Sequence, residues 1–245
     1  MDLLPIATFF VALLSSILSG MSGGGGGFVM TPFFLLIGMT PQQIAGNASV
    51  AGLGLGVSSL SAMRGRNLVK KQLILPLAVI TVLFTILAML ILPHIKSDSF
   101  ELGIGILLII LAPTLFIKKN RFQPGARSKG SIIAGYILYG LILFASALGS
   151  GLATLLFLPL IFLMGLTTLE ANALRRVLMI IQAIVAFIII LPQGFIVWEY
   201  ALITLAGCYI GGHIGTKFAL KRGERFATYA LASVMVLSGF LLLVR

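Results

Sequence analysis

Five consecutive glycines, Gly23 to Gly27, interrupt an apolar run that is otherwise long enough to enter a bilayer. A continuous helix through them is disfavoured. Glycine loses more backbone entropy on ordering than any other residue, and five in a row cost roughly 4–5 kcal/mol against alanine. Inside a membrane, broken backbone is tolerated only where protein surrounds it or where it lines a wet cavity, because hydrocarbon offers no partner to a free N–H or C=O. The glycines are therefore a candidate substrate site.

The 245 residues are 59% hydrophobic with 17 basic and 6 acidic side chains, a balance that belongs to a polytopic membrane protein and not to a soluble domain. A formal charge of +11 would suggest nucleic acid as a partner in a soluble chain. Here the basic residues gather in three short stretches beside apolar runs, a pattern that reports orientation in a lipid bilayer, and no nucleic acid is expected. Met1-Asp2-Leu3-Leu4-Pro5 lacks the positive start and small-residue cleavage site of a signal peptide, so the first segment is expected to be retained. Cys208, the single cysteine, lies in an apolar run and reads as a small packing residue. There is no HExxH, GxxxxGK[ST], GxSxG or CxxC pattern, so no metal, cofactor or enzymatic activity is expected.

Apolar runs cover residues 3–20, 28–39, 43–63, 72–93, 100–117, 131–149, 152–166, 168–191, 198–218 and 226–244, most of them near the roughly 20 residues that cross a bilayer core. Two are short, 28–39 and 152–166, and each follows a glycine-containing break and carries a proline, Pro32 or Pro159. Gly24, Pro32, Gly38, Met39 and Thr40 match Gly151, Pro159, Gly165, Leu166 and Thr167 at a constant offset of 127 residues. The chain reads as two membrane repeats, 1–120 and 130–245, joined by a basic cytoplasmic linker, 121–129. In the second copy the glycine run becomes Ala147-Leu148-Gly149-Ser150-Gly151. Paired short segments, broken by Gly and Pro at corresponding positions, are the best sequence pointer to a transporter's site.

The basic stretches are Arg64, Arg66, Lys70 and Lys71; Lys118, Lys119, Arg121, Arg127 and Lys129; and Lys217, Lys221, Arg222 and Arg225. All three are expected to be cytoplasmic. The third stays there only if 3–39 and 131–166 each fold as a helix, a break and a short returning helix. The expected fold is an all-α polytopic membrane protein of two inverted repeats, each a Gly/Pro-broken hairpin followed by three spanning helices, about 8 spans if each hairpin counts as one, with both chain ends external.

In that arrangement the break exposes backbone N–H groups of Gly23, Gly24, Gly25, Gly26 and Gly27, and a short helix starting near Phe28 adds the positive end of its dipole; both attract anions. Ser22 and Thr31, with Ser150, Gly151 and Thr154 from the second copy, add small neutral groups; their competing role is to let helices approach closely. Asn47 and Ser49 lie early in the next helix, and Asn172 holds the corresponding place in the second copy. The two asparagines either face each other across the repeat interface and bind a ligand, or cap and tie helices. Arg175 and Arg176 point about 100° apart on a helix, so one is assigned to anchoring at the cytoplasmic end and the other to the cavity as a forked oxyanion ligand; the sequence does not choose between them. Glu170 and His213 are the candidates for coupling to protons. Glu170 can instead pair with an arginine or favour a helix start, and His213, among Gly211, Gly212 and Gly215, can instead make a structural hydrogen bond.

The glycine run, Pro32, Gly38-Met39-Thr40-Pro41 and Ala45-Gly46-Asn47-Ala48-Ser49, with a weaker echo from Pro159 to Ala173, resembles the sulfite exporter TauE/SafE family of membrane permeases over nearly the whole chain. The second copy departs from the family at Asn172-Ala173-Leu174-Arg175-Arg176, where relatives show a Gly-Thr-Ser-like helix start. The resemblance implies secondary transport of small anions, commonly sulfur oxyanions such as sulfite or organosulfonates, across a prokaryotic plasma membrane. The residues alone reach a small anionic substrate but not the sulfur. An alternating-access carrier, with proton coupling open, is the leading expectation. Its rivals are an anion channel with a glycine-lined filter, which lacks a matching second run, and a membrane-embedded enzyme or assembly factor. The oligomeric state is open, with a homodimer among the admissible assemblies.

Overall fold

In the computed structural model, which describes residues 3–24, 26–94, 129–148 and 152–223 together with 226, 229 and 233, every regular element is helical. The elements are α1 (Leu3–Ser22), α2 (Gly27–Leu36), α3 (Pro41–Ala62), α4 (Lys71–Ile91), α5 (Lys129–Leu148), α6 (Thr168–Ile190) and α7 (Trp198–Arg222). Gly25, Ser150 and Gly151, the apolar run 100–117, most of 226–244 and the basic stretch 118–127 lie outside the described residues.

The first expected helix break is present, and the second, Gly149 to Gly151, lies outside the described residues. α1 ends at Ser22, Gly23 takes φ +86°, and α2 starts at Gly27. α2 folds back along α1: Ser15 Oγ donates to the Gly26 carbonyl at 2.6 Å, and Met30 and Phe34 share a buried cluster with Ala12. The second hairpin closes the same way, with Ser131 Oγ at the start of α5 donating to the Leu163 carbonyl at 2.9 Å. Its short arm differs from the regular helix expected over 152–166. It is a 3-10 turn, Leu152–Leu156, followed by a π-helical turn, Pro159–Leu163, in which the Met164 amide reaches back to the Pro159 carbonyl at 3.0 Å. Pro159 has no N–H and crowds the carbonyl one turn earlier, so the backbone tightens before it and widens after it.

Local chemistry repeats at the same offset as the sequence. Thr40 and Thr167 open α3 and α6 with capping boxes: each hydroxyl accepts from the amide three residues on, Gln43 at 3.3 Å or Glu170 at 3.2 Å, and each of those side chains accepts from the threonine amide at 3.0 Å. Gly38 and Gly165, just before them, both take positive φ, +85° and +73°. That backbone is strained for a residue with a Cβ, which explains why glycine recurs there.

Packing follows the small residues. α1 and α7 run parallel along Ala12, Ser16 and Gly20 on one side and Gly207, Gly211 and Gly215 on the other. A methyl on Gly207 would sit 2.9 Å from the Phe9 carbonyl, and one on Gly20 2.8 Å from the Thr216 amide. Spaced small residues let the two backbones approach without hydrophobic drive. α3 lies against both α7 and α6, parallel to the first, where Gly54 meets Leu205 and Ser58 meets Gly212, and antiparallel to the second, where Gly46 meets Ile190 and Gly56 meets Ile180. α4 packs on the outer side of α6, and α5 packs on α4 and on the short arm of the second hairpin.

Among the described residues, four helices are long and apolar enough to cross a membrane: α1, α4, α5 and α6 with its extension to Gln193. α3 and α7 have the length but not the apolarity. Their neighbours explain this. Both are central, and buried Asn47, Ser49, Ser58 and Ser59 on α3 and Thr204 and Thr216 on α7 face protein. α4 instead turns Leu75, Val79, Leu83, Leu87 and Leu90 outward, a stripe at helical spacing suited to lipid. Arg64, Arg66, Lys70, Lys71, Lys217, Lys221 and Arg222 gather at one end of the bundle, where Met63, Ala173 and Leu220 pack together.

Candidate functional site

The break after α1 lies against the other half of the chain. A Cβ on Gly24 would meet the Cα and Cγ2 of buried Thr154 at 3.1 Å, and one on Gly23 would overlap the Phe157 ring and touch Asn172 Cγ at 3.0 Å. The first glycine break and the short arm of the second hairpin are thus in van der Waals contact, with the start of α6 beside them.

Arg176 is fully buried at this junction, eight residues into α6, or about 12 Å along its axis. Its Nη2 donates to the Ser19 carbonyl and, at 3.4 Å, to Ser19 Oγ, while its Nε donates to Asn172 Oδ1 at 3.1 Å. Asn172 Nδ2 and Thr216 Oγ1 both approach the Gly20 carbonyl at 3.5 Å. A helix leaves its last carbonyls unsatisfied, and α1 ends inside the bundle, so side chains from α6 and α7 supply the donors that water supplies elsewhere. The guanidinium also meets the negative end of the α1 dipole. Ser22 ties the break to itself, its one hydroxyl hydrogen lying between the Leu18 carbonyl, at 2.8 Å from Oγ, and the Gly24 carbonyl.

Arg175 turns to a different flank of α6, about 100° round from Arg176. It is also buried, donates through Nη2 to Gln182 Oε1 at 2.9 Å, and has no bonding partner for Nη1. No carboxylate among the described residues pairs with either arginine. The expectation that one of them is a plain anchor at the basic end finds no counterpart: both are interior.

Ser22, Gly23, Gly24, Thr154, Asn172 and Arg176 are brought together. Gly26, the residue before α2, lies against Ser15 and Ser19 of α1, Gly27 begins α2, and Thr31 is half-buried on it. Asn47 and Asn172 do not face each other. Asn47 Oδ1 accepts from the Val197 amide at 3.1 Å, holding the start of α7, and Gly46 beside it lies against Ile190, roughly 25 Å along α6 from Asn172. The two helices are antiparallel, so equivalent places early in each lie at opposite ends. Ser49 bonds the Gly46 carbonyl at 2.7 Å within its own helix. Glu170 serves the capping box and pairs with Lys70 at 2.8 Å, and His213 Nδ1 lies 3.1 Å from Ser61 Oγ near the basic end.

Sequence reasoning missed Ser19 as the acceptor for Arg176, and Phe157 as the wall opposite Gly23. Ser19 had a signal. Thr8, Ala12, Ser15, Ser19 and Ser22 recur at helical spacing through an apolar run and are all buried in α1.

The sequence comparisons agree with this architecture. The family model described as sulfite exporter TauE/SafE matches residues 8–242. A Sinorhizobium protein named "Probable membrane transporter protein ORF9" is 27% identical over 94% of this chain and 87% of its own length. A Haemophilus influenzae protein named "Probable membrane transporter protein" is 22% identical over 91% of this chain and 88% of its own. "Probable membrane transporter protein YfcA" of Escherichia coli K12 is 22% identical over 89% and 81%. No solved structure matches the chain. With a match that covers almost every residue from the first helix to the last apolar run, the chain belongs to the sulfite exporter TauE/SafE family of multi-pass membrane transporters.

Proposed function

We propose that the protein is a secondary transporter of a small anion, built as two inverted repeats that rock against each other in a prokaryotic plasma membrane. The observation that carries the reading is the pair Arg175 and Arg176, both buried within α6 and neither paired with a carboxylate among the described residues. A buried cation without a protein counter-charge is a functional group by default in a membrane, and a guanidinium selects oxyanions through its forked donors. The contact between the first glycine break and the second hairpin supports a site at the repeat interface. The matched capping boxes, positive-φ glycines and returning hairpins support the repeat relationship, with 1–120 and 130–245 as its halves. The family's description makes sulfite and related sulfur oxyanions the first substrates to test.

Proteoliposomes that contain the purified protein should take up radiolabelled sulfite saturably, and preloaded unlabelled sulfite should stimulate exchange. Flux that rises linearly with concentration and shows no exchange would favour the channel reading. Proton coupling through Glu170 or His213 predicts that an imposed pH gradient drives accumulation. Accumulation unchanged by the gradient would remove both residues from that role.

A further inference from the structure

Arg175 has surroundings unlike those of its neighbour. It is 4% exposed; Nη2 is held by Gln182, two turns along α6, while Nη1 is buried and unpartnered. The guanidinium is within electrostatic range of the Tyr139 hydroxyl on α5, and that hydroxyl lies 3.4 Å from Thr81 Oγ1 on α4. One turn beyond Thr81 on the same face of α4, Thr85 has a buried hydroxyl with no partner. Thr81, Thr85 and Tyr139 are all fully buried, with Leu77, Leu143, Leu174 and Leu178 in the apolar cluster around them.

A donor left unpaired in such a place costs its full desolvation, and a charge costs more. Natural interiors avoid this unless a group arrives to meet it. The groups on this flank are an unpaired guanidinium N–H, the unpaired Thr85 hydroxyl and the Thr81–Tyr139 hydroxyl pair, which keeps one free hydrogen, and no carboxylate among the described residues pairs with the arginine. They form a donor set, and in a low-dielectric surround its complement is a small anion with more than one acceptor oxygen. Arg176 is different, because its bonds go to Ser19 and Asn172.

We propose that Arg175, Tyr139, Thr81 and Thr85 form a subsite for a small oxyanion between α4, α5 and α6, on a flank of α6 about 100° round from the one that meets the glycine break. Arg175 Nη1 meets the charge, the hydroxyls meet the remaining oxygens, and Gln182 fixes the guanidinium. Arg176 remains bonded to the end of α1. The two adjacent arginines thus divide the work, one binding the anion and the other holding the broken helix. The inference rests on the anion-transport reading and adds to it a location away from the glycines.

The test is calorimetric titration of the full-length protein in detergent with sodium sulfite, sodium methanesulfonate and sodium acetate at constant ionic strength. The parent should bind at least one of them. For that anion, Arg175→Gln should lower affinity at least tenfold, and Thr85→Val and Tyr139→Phe three- to tenfold each. Thr85→Val is the decisive variant: it is nearly isosteric and removes a hydroxyl that has no partner, so its melting temperature should stay the same or rise while binding weakens. If Arg175→Gln does not fold, Thr85→Val and Tyr139→Phe decide alone. Should both hydroxyl variants bind like the parent while Gly24→Val abolishes binding, the anion sits at the glycine break; the subsite is then wrong and the anion reading stands. If the parent binds none of the three anions, both fall.

Discussion

Arg176 donates to the backbone carbonyl of Ser19, 157 residues earlier, which also accepts from the Gly23 amide at 2.7 Å, and so the end of α1 is tied to a side chain from the other half of the chain. Few interactions bind the halves more directly, since the same guanidinium is braced by Asn172 at 3.1 Å. Arg176→Met removes these donors from buried acceptors, each loss worth roughly 1–3 kcal/mol. The burial cost of the charge is removed as well, so the net loss should be about 2 kcal/mol. Thermal unfolding in detergent measures it, and hydrogen exchange should quicken at residues 19–24 before elsewhere. A higher melting temperature would mean that the buried charge costs more than its bonds return and is kept for function alone.

Asn47 performs the matching task for α7. Its Oδ1 accepts from the Val197 amide at 3.1 Å, at a helix start with no side-chain cap of its own. Asn47→Leu should cost about 1–3 kcal/mol by leaving that N–H unpaired. Amide exchange at residues 197–200 should lose protection while the start of α6, capped separately by Thr167, keeps it. Unchanged protection at Val197 would show that another group takes over the bond.

Gly23 and Gly38 separate strain from space. Both hold φ near +85°, at +86° and +85°, but a Cβ on Gly38 would meet nothing within 4 Å while one on Gly23 would enter the Phe157 ring. Alanine at Gly38 should cost only the left-handed backbone penalty, about 1–2 kcal/mol. Alanine at Gly23 should cost that and the displacement of Phe157, and should reduce transport as well as stability. Equal melting temperatures for the two variants would mean that Phe157 moves freely and the contact is loose.

The first break, the returning arms, the two threonine starts and the pairing of Gly38 with Gly165 were legible because each has a local cause: glycine runs, prolines and capping residues act over a few positions. The π-helical turn after Pro159 was not, since a proline in an apolar run announces a disturbance without saying which backbone form absorbs it. Partners at long range were hidden for a different reason. That Arg176 would reach Ser19 and Asn47 would reach Val197 depends on which helix lies beside which, and periodicity carries no such information. The placement of α3 and α7 in the centre was partly legible in hindsight, because glycines at 207, 211 and 215 and serines along α3 are poor lipid-facing surfaces but good helix-facing ones.

Orientation gives the last prediction. α3 and α7 run the same way and α6 the opposite way, so the ends of α3 and α7 and the starts of α4 and α6 share one end of the bundle, where Arg64, Arg66, Lys70, Lys71, Lys217, Lys221 and Arg222 lie. The far end of α6 carries exposed Gln193, and Glu199 follows at the start of α7. Such an asymmetry of lysine and arginine sets the basic end in the cytoplasm. Gln193→Cys should therefore react with a membrane-impermeant maleimide in intact cells, and Lys221→Cys only after permeabilisation. Native Cys208 is buried in α7 and should contribute no background. The reverse labelling pattern would invert the orientation and leave the helix packing untouched, whereas labelling of both sites in intact cells would place the two ends of the bundle on one side and break the spanning arrangement of α7 itself.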